Sequence, residues 1–340
     1  MVAFPPFDRT WLAVPEGQRR RREWLEAVAE VSLAWFLEGK SIEAWLDAFQ
    51  PIREQALKLG WSYYLPEEIR THLHYIRFGS GGRGEDLIYS DLDYAIVTTG
   101  SVDAATVMDY LHDFIRGMND FGFPPCQGFV MGTNPRWIGS TEDFARRIHQ
   151  YLAYPDWENT RYLFMVVDGR PLFSFDGWSE ISDLARNGIC NSPFIRWEMA
   201  HLGIHKTVSL SLLGHVQTER VDDVEVLPIK EGLISPIIHS IRLLALTYRI
   251  GQLGTGERLK ELERGGWLAP SLVSRVQRAL AFGWKLRVMA QIRDALGKGS
   301  HKEHVLWSAL SEDERVLAAQ HLHTARELER LVHRTFRKPR

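Results

Sequence analysis

Residues 75–97 read YIRFGSGGRGEDLIYSDLDYAIV. Two short apolar runs enclose a glycine-rich turn, and Asp91 and Asp93 sit at the mouth of the second run. Two carboxylates one residue apart on an extended segment point the same way, because strand side chains repeat with period two. A charge at the mouth of an apolar strand is costly to bury unless it is paired or holds a cation. Gly79 and Ser80 close the first run, and small residues there let backbone amides approach an anionic group. The pattern therefore suits a phosphate cradle beside a paired-carboxylate site. Hard oxygen ligands of this kind fit Mg²⁺, which takes a few carboxylates together with substrate phosphates.

Several other chemistries are excluded by what surrounds this turn. No Gly-Lys-Ser/Thr follows it, so it is not a Walker P-loop, and no long helix separates it from the aspartates, as a dinucleotide fold requires. A G-x-S-x-G elbow is absent. His201 and His205 stand four apart, but no glutamate follows His201, and among thirteen histidines such pairs arise by chance, so a structural role is favoured. The two cysteines, Cys126 and Cys190, define neither a disulfide scaffold nor a thiolate metal site, and a reducing, cytoplasmic setting fits them. The net charge of -2 gives no global pull towards nucleic acid or anionic lipid. The first residues lack a signal-peptide pattern. The longest apolar stretch, residues 233–250, is interrupted by His239 and Arg242 and makes a poor membrane span.

A chain of 340 residues exceeds one typical core. Helical spacing runs through residues 17–59. Short β-rich runs lie at 75–78 and 94–98, with further strands expected at 128–131 and 163–168; helices are expected at 104–121 and 140–152. Alternating strands and helices imply an α/β or α+β region from about residue 60 to 185. Beyond Pro193 the pattern is almost wholly helical, at 194–214, 233–251, 255–264, 270–296 and 312–336. Ser311 with Glu314 three residues on makes a capping box, and Pro270 suits a helix start. Asp168, at the end of the 163–168 run, supplies a third candidate carboxylate.

Gly79-Ser80, ten intervening residues, then Asp91-x-Asp93 followed by apolar residues resembles the nucleotidyltransferase signature of the DNA polymerase β-like superfamily. The text GSGGRGEDLIYSDLDYAIV is similar to nucleotidyltransferases related to the uridylyltransferase of bacterial nitrogen regulation. GFPPCQGFVMGTNPRW at 122–137, VDGRP at 167–171, and IKEGL at 229–233 with Pro236 and RLLAL at 242–246 extend the likeness in order along the chain. There are departures: no CBS-like pair is present, and Leu92 and Tyr94 stand where the family carries polar residues.

The resemblance implies an α+β fold: a nucleotidyltransferase-type mixed sheet with flanking helices, plus N-terminal helices and a helical C-terminal domain. The expected boundaries are 1–65, 66–188 and 189–340. It implies Mg²⁺- or Mn²⁺-dependent transfer of a nucleoside monophosphate from an NTP, such as ATP, to a hydroxyl of a protein or small-molecule acceptor. A non-catalytic nucleotide-binding regulatory module is the alternative. Near-neutral charge and the lack of an aromatic-basic stripe argue against an RNA acceptor. By the resemblance, Gly79 and Ser80 hold the β- and γ-phosphates, Asp91 and Asp93 bind the metal, and Asp168 completes the site and helps activate the acceptor. Arg83 either neutralises phosphate charge or pairs with Glu85 or Asp86, and Arg170 is similarly open. Lys230 and Arg242 either face the nucleotide or pair structurally. Tyr94 and Trp137 either stack on a base or belong to the core.

Overall fold

The computed structural model describes residues 3–100, 104–201, 208–298 and 304–338. The chain divides into two compact units, residues 1–150 with 164–185, and residues 151–163 with 186–340. The architecture is mixed α+β, as the sequence implies.

In the first unit, α1 (Arg19–Leu37) and α2 (Ile42–Tyr64) lead into the sheet. Ser41 caps α2, its hydroxyl accepting the Ala44 N–H at 3.2 Å. Trp45, Phe49, Arg53, Leu57 and Trp61 recur every fourth residue of α2, and all are buried. The strands are β1 (Leu73–Arg77), β2 (Tyr94–Thr98), β3 (Ile138–Gly139) and β4 (Arg170–Pro171), in the order β3-β2-β1-β4. β1 is antiparallel to β2, with Tyr75 opposite Ile96 and Arg77 opposite Tyr94, and antiparallel to β4. β2 and β3 run parallel. Between β1 and β2 lies a single helical turn, α3 (Gly79–Arg83). Helix α4 (Ala104–Asn119) follows, and α5 (Thr141–Ala153), α6 (Trp157–Val167) and α7 (Gly177–Asn191) each carry residues of both units.

Aromatic rings fill the core. Tyr75 stacks on Tyr94 at 4.5 Å, and Trp61 of α2 meets Tyr75 edge-on at 5.3 Å. Phe114 of α4 closes on both tyrosines. Phe78 packs between Trp137 and Trp178. Tyr94 and Trp137 are therefore core residues, not candidates for stacking on a bound base.

Two expected strands are absent. Residues 163–167 belong to α6, which starts when Asp156 accepts the Asn159 N–H at 2.8 Å. A short apolar run has no period of its own, and the cap upstream decides it. Asp168 consequently follows a helix, not a strand. Residues 128–131 form a turn whose Val130 carbonyl accepts the Tyr94 N–H at 2.9 Å.

The second unit contains α8 (Pro193–His201), α9 (Ser235–Thr247), α10 (Thr255–Arg264), α11 (Pro270–Ala295) and α12 (Glu312–Thr335). α9 is buried along nearly its whole length, which accounts for its apolar sequence. No helix among the described residues is long and apolar enough to cross a membrane. The Ser311–Glu314 capping box is present, with bonds of 3.2 and 2.8 Å. The expected helix at 194–214 stops by Val208, where Leu210 bridges Val216; residues 202–207 lie outside the described set. A three-stranded sheet, β5 (Glu219–Val221), β6 (Val224–Leu227) and β7 (Val305–Leu306), interrupts the helical region. Its hairpin turns on Asp222 and Asp223, both at positive φ, a conformation that aspartate tolerates.

His239 of α9 is buried, its Nε2 2.6 Å from the Met199 carbonyl, which suits a neutral ring donating that proton. Burial, reinforced by the charge of Arg242 and by His333, pushes it down to about 3. Below the ordinary histidine range the unfolded chain then takes up a proton that the folded one refuses, so stability falls as pH falls. Denaturant unfolding of the chain should lose roughly 2 kcal/mol between pH 7.5 and pH 5 from this group, and His239→Gln should flatten that slope.

Candidate active site

The Phe78 N–H donates to the Asp93 carbonyl at 2.8 Å, so the end of β1 is fastened beside the entry to β2. The chain then turns at Gly79, whose φ is +54°. A Cβ at this position would collide with Oδ2 of Asp93, so glycine is required both by the backbone and by the closeness of the carboxylate. The first bond inside α3 runs from Gly82 N–H to Phe78 C=O at 2.8 Å. The amides of Gly79, Ser80 and Gly81 precede it and so have no partner within the turn.

Asp91 and Asp93 lie just before β2, on either side of Leu92. Leu92 is buried and bonded through its N–H to the Pro124 carbonyl at 2.9 Å, while both aspartates are half-buried. The Asp93 carboxylate is the one that lies against the Gly79 backbone. The Cys126 thiol hydrogen-bonds to Asp93; burial first, and then the Asp93 charge, push that thiol up to about 12.

Ser80 donates its hydroxyl to Asp86 Oδ1 at 2.7 Å. Asp86 is buried and held on its backbone by both ends of the Gln50 amide, at 2.8 and 3.1 Å. Arg53 lies 3.7 Å from Asp86 Oδ2 and donates to the carbonyls of Ile88, Gly122 and Ser90, each at 2.9 Å. Burial lowers the Arg53 pKa, and Asp86 opposes that shift.

Arg83 and Asp168 come together at the far end of α3. The Arg83 Nε donates to Glu85 at 2.8 Å and Nη1 to Asp168 at 3.1 Å. Asp168 is fully buried, and a Cβ on Gly82 would collide with its carbonyl. Burial works against the Arg83 charge, but Glu85 and Asp168 outweigh it and hold the pKa above the ordinary value. Of the six residues singled out in the sequence, Gly79, Ser80 and Asp93 thus meet at the start of α3, with Asp91 adjoining through its carbonyl, which accepts the Asp93 N–H at 3.1 Å. Arg83 and Asp168 form a second group at its end. Among the described residues, no three His, Cys, Asp or Glu side chains form a metal-binding group. Asp91 and Asp93 nonetheless offer the hard oxygen donors that suit Mg²⁺, whose remaining positions are commonly filled by substrate phosphates and water.

Asp86, Gln50, Arg53 and Cys126 escape sequence reasoning as parts of the site. The available signal is Arg53, a cation in the apolar stripe of α2. Arg170 is in β4 opposite Arg77, with its guanidinium against Gly84. Lys230 and Arg242 are in the second unit, Lys230 in a π-turn and Arg242 on α9. His201 stacks on Trp197 and His333; His205 lies outside the described residues.

The β1–turn–β2 unit thus sets the small-residue turn beside two acidic residues that lead into the second strand. Residues 26–158 match the family model described as "Putative nucleotidyltransferase DUF294". Residues 194–336 match the one described as "Putative nucleotidyltransferase substrate binding domain". These matches support a nucleotidyltransferase role for the chain. No curated protein matches it.

Gly79→Ala should destabilise the protein by about 1–3 kcal/mol in urea unfolding, because it forces a strained backbone against Asp93. Gly81→Ala is the control. A Cβ there meets nothing closer than Asp86 Oδ2 at 3.5 Å, so that variant should be neutral or slightly stabilising.

Proposed function

We propose that the protein is a Mg²⁺-dependent nucleotidyltransferase that moves a nucleoside monophosphate from an NTP to a hydroxyl of a protein or small-molecule acceptor, releasing pyrophosphate. The observation that carries this reading is the close approach of the Gly79 backbone to the Asp93 carboxylate. It sets amides suited to phosphate beside carboxylates suited to a divalent cation.

On this reading the amides of Gly79, Ser80 and Gly81 receive the β- and γ-phosphates. Asp91 and Asp93 hold the cation, which when bound neutralises charge on the triphosphate and aligns the attacking and leaving oxygens. The Ser80 hydroxyl, as donor, is directed to Asp86, so its part is to brace the turn. Arg83 and Asp168 fix the other end of α3 as a buried pair, which keeps the phosphate-facing amides in place. Acceleration then comes from positioning and charge neutralisation, without a covalent intermediate. The low net charge favours a protein or small molecule over nucleic acid as acceptor.

The engagement of Asp168 by Arg83 favours one second reading, a regulatory module that binds a nucleotide without turning it over. Pyrophosphate release with candidate acceptors separates the two.

Thermal unfolding of the wild-type chain with each of the four NTPs should shift upward with Mg²⁺ present. Saturation at a hundredfold excess over the dissociation constant is worth about 2.7 kcal/mol. Asp93→Asn and Asp91→Asn should keep the fold, abolish the Mg²⁺-dependent part of that shift and reduce pyrophosphate release by at least about a hundredfold. Undiminished shift and release in the folded double variant would refute the assignment.

A further inference from the structure

Phe129 has a φ of 54°, in the left-handed region that bulky side chains avoid, and its ring is 67% exposed. Both features are unfavourable in the free protein. The other described non-glycine residues at positive φ have evident reasons: Asp222 and Asp223 make a hairpin turn, and Arg249 follows the end of α9. Nothing in the packing of Phe129 explains it, since the adjacent Gln127 and Gly128 are exposed as well.

The strain is nevertheless firmly held. The Phe129 N–H donates to the Cys126 carbonyl at 3.0 Å, and the Asn134 side chain donates to the Phe129 carbonyl at 2.9 Å. The other end of the same Asn134 amide accepts the Arg136 N–H at 3.0 Å. The loop is tied to the acidic segment at three points. Leu92 bonds Pro124, Tyr94 bonds Val130, and the Cys126 thiol bonds Asp93. A solvent-facing aromatic ring on a tethered backbone is thereby presented one residue from a direct bond to the residue that follows Asp93. Tyr94 and Trp137, the two aromatic residues that the sequence offered for stacking on a base, are committed to the core.

We infer that Phe129 is the stacking platform for the nucleobase of the bound NTP. This rests on the nucleotidyltransferase reading above, which places the triphosphate on the amides of Gly79, Ser80 and Gly81, beside Asp93. Every base has a π-face, so a ring without polar groups supplies affinity with little choice among bases. The backbone strain is the consequence of aiming the ring outward at a position where glycine would be relaxed.

Phe129→Gly tests this directly, because the change relieves strain and removes little buried surface. The variant should melt no lower than wild type. Its affinity for the NTPs in the presence of Mg²⁺, measured by calorimetry on the full chain, should fall roughly 5- to 150-fold. Binding of inorganic tripolyphosphate, which has no base, should not change. Phe129→Trp should restore NTP affinity, and Phe129→Leu should not. Wild-type NTP binding matched by Phe129→Gly would overturn the inference and leave the proposed function standing. Failure of the wild-type chain to bind any NTP would overturn both. An equal loss of NTP and tripolyphosphate binding would assign Phe129 to loop structure and overturn the stacking role.

Discussion

The first unit turns on one buried cation. Arg53 projects from the apolar face of α2 and gathers the carbonyls of Ile88 and Ser90, which precede the acidic segment, with that of Gly122, which precedes the loop behind it. It also faces Asp86 and lies over the Phe123 ring at 3.7 Å. A guanidinium has donors in a fixed fork, so it can collect carbonyls from separate chain segments where lysine offers only a point charge. An unpaired charge at this depth would be severely unfavourable, and every segment it touches is thereby held to one position. Through Asp86 the same cation reaches Ser80 and hence the start of α3.

Much of this was legible in the sequence because it is local. The strands at 73–77 and 94–98 are bounded by glycine and polar residues, and in the second unit Pro270 opens α11 and the Ser311–Glu314 capping box opens α12. Asp91 and Asp93 lie just before β2 without belonging to it: Leu92 between them is drawn inward, and the Asp93 N–H closes a tight turn onto the Asp91 carbonyl. What failed was short and apolar. Residues 163–167 became helical because of a cap at Asp156, outside the run itself. The sheet of the second unit was overlooked although its Asp222-Asp223 turn lies open in the sequence. Its third strand comes from more than seventy residues away, and no local pattern announces such a pairing.

The site divides along the same line. Gly79, Ser80, Asp91 and Asp93 are near neighbours in sequence and were found together. Asp168 was expected to join Asp91 and Asp93, and the fold pairs it with Arg83. Gln50 and Arg53 act on a loop more than thirty residues away, and only tertiary structure unites them. Phe129 was hidden for another reason. Its unusual property is a backbone angle, and a phenylalanine in a glycine-rich loop looks like any other apolar residue.

The thiol beside Asp93 has a chemical consequence of its own. With its acidity suppressed to a pKa of about 12, Cys126 is thiolate in roughly one molecule in a hundred thousand at neutral pH. Peroxides and disulfides react with thiolate, so this sulfur is sluggish towards both. Burial above all, with the Asp93 carboxylate behind it, passivates the thiol. The acidic pair can thus be flanked by a cysteine without becoming hostage to the oxidation state of its surroundings.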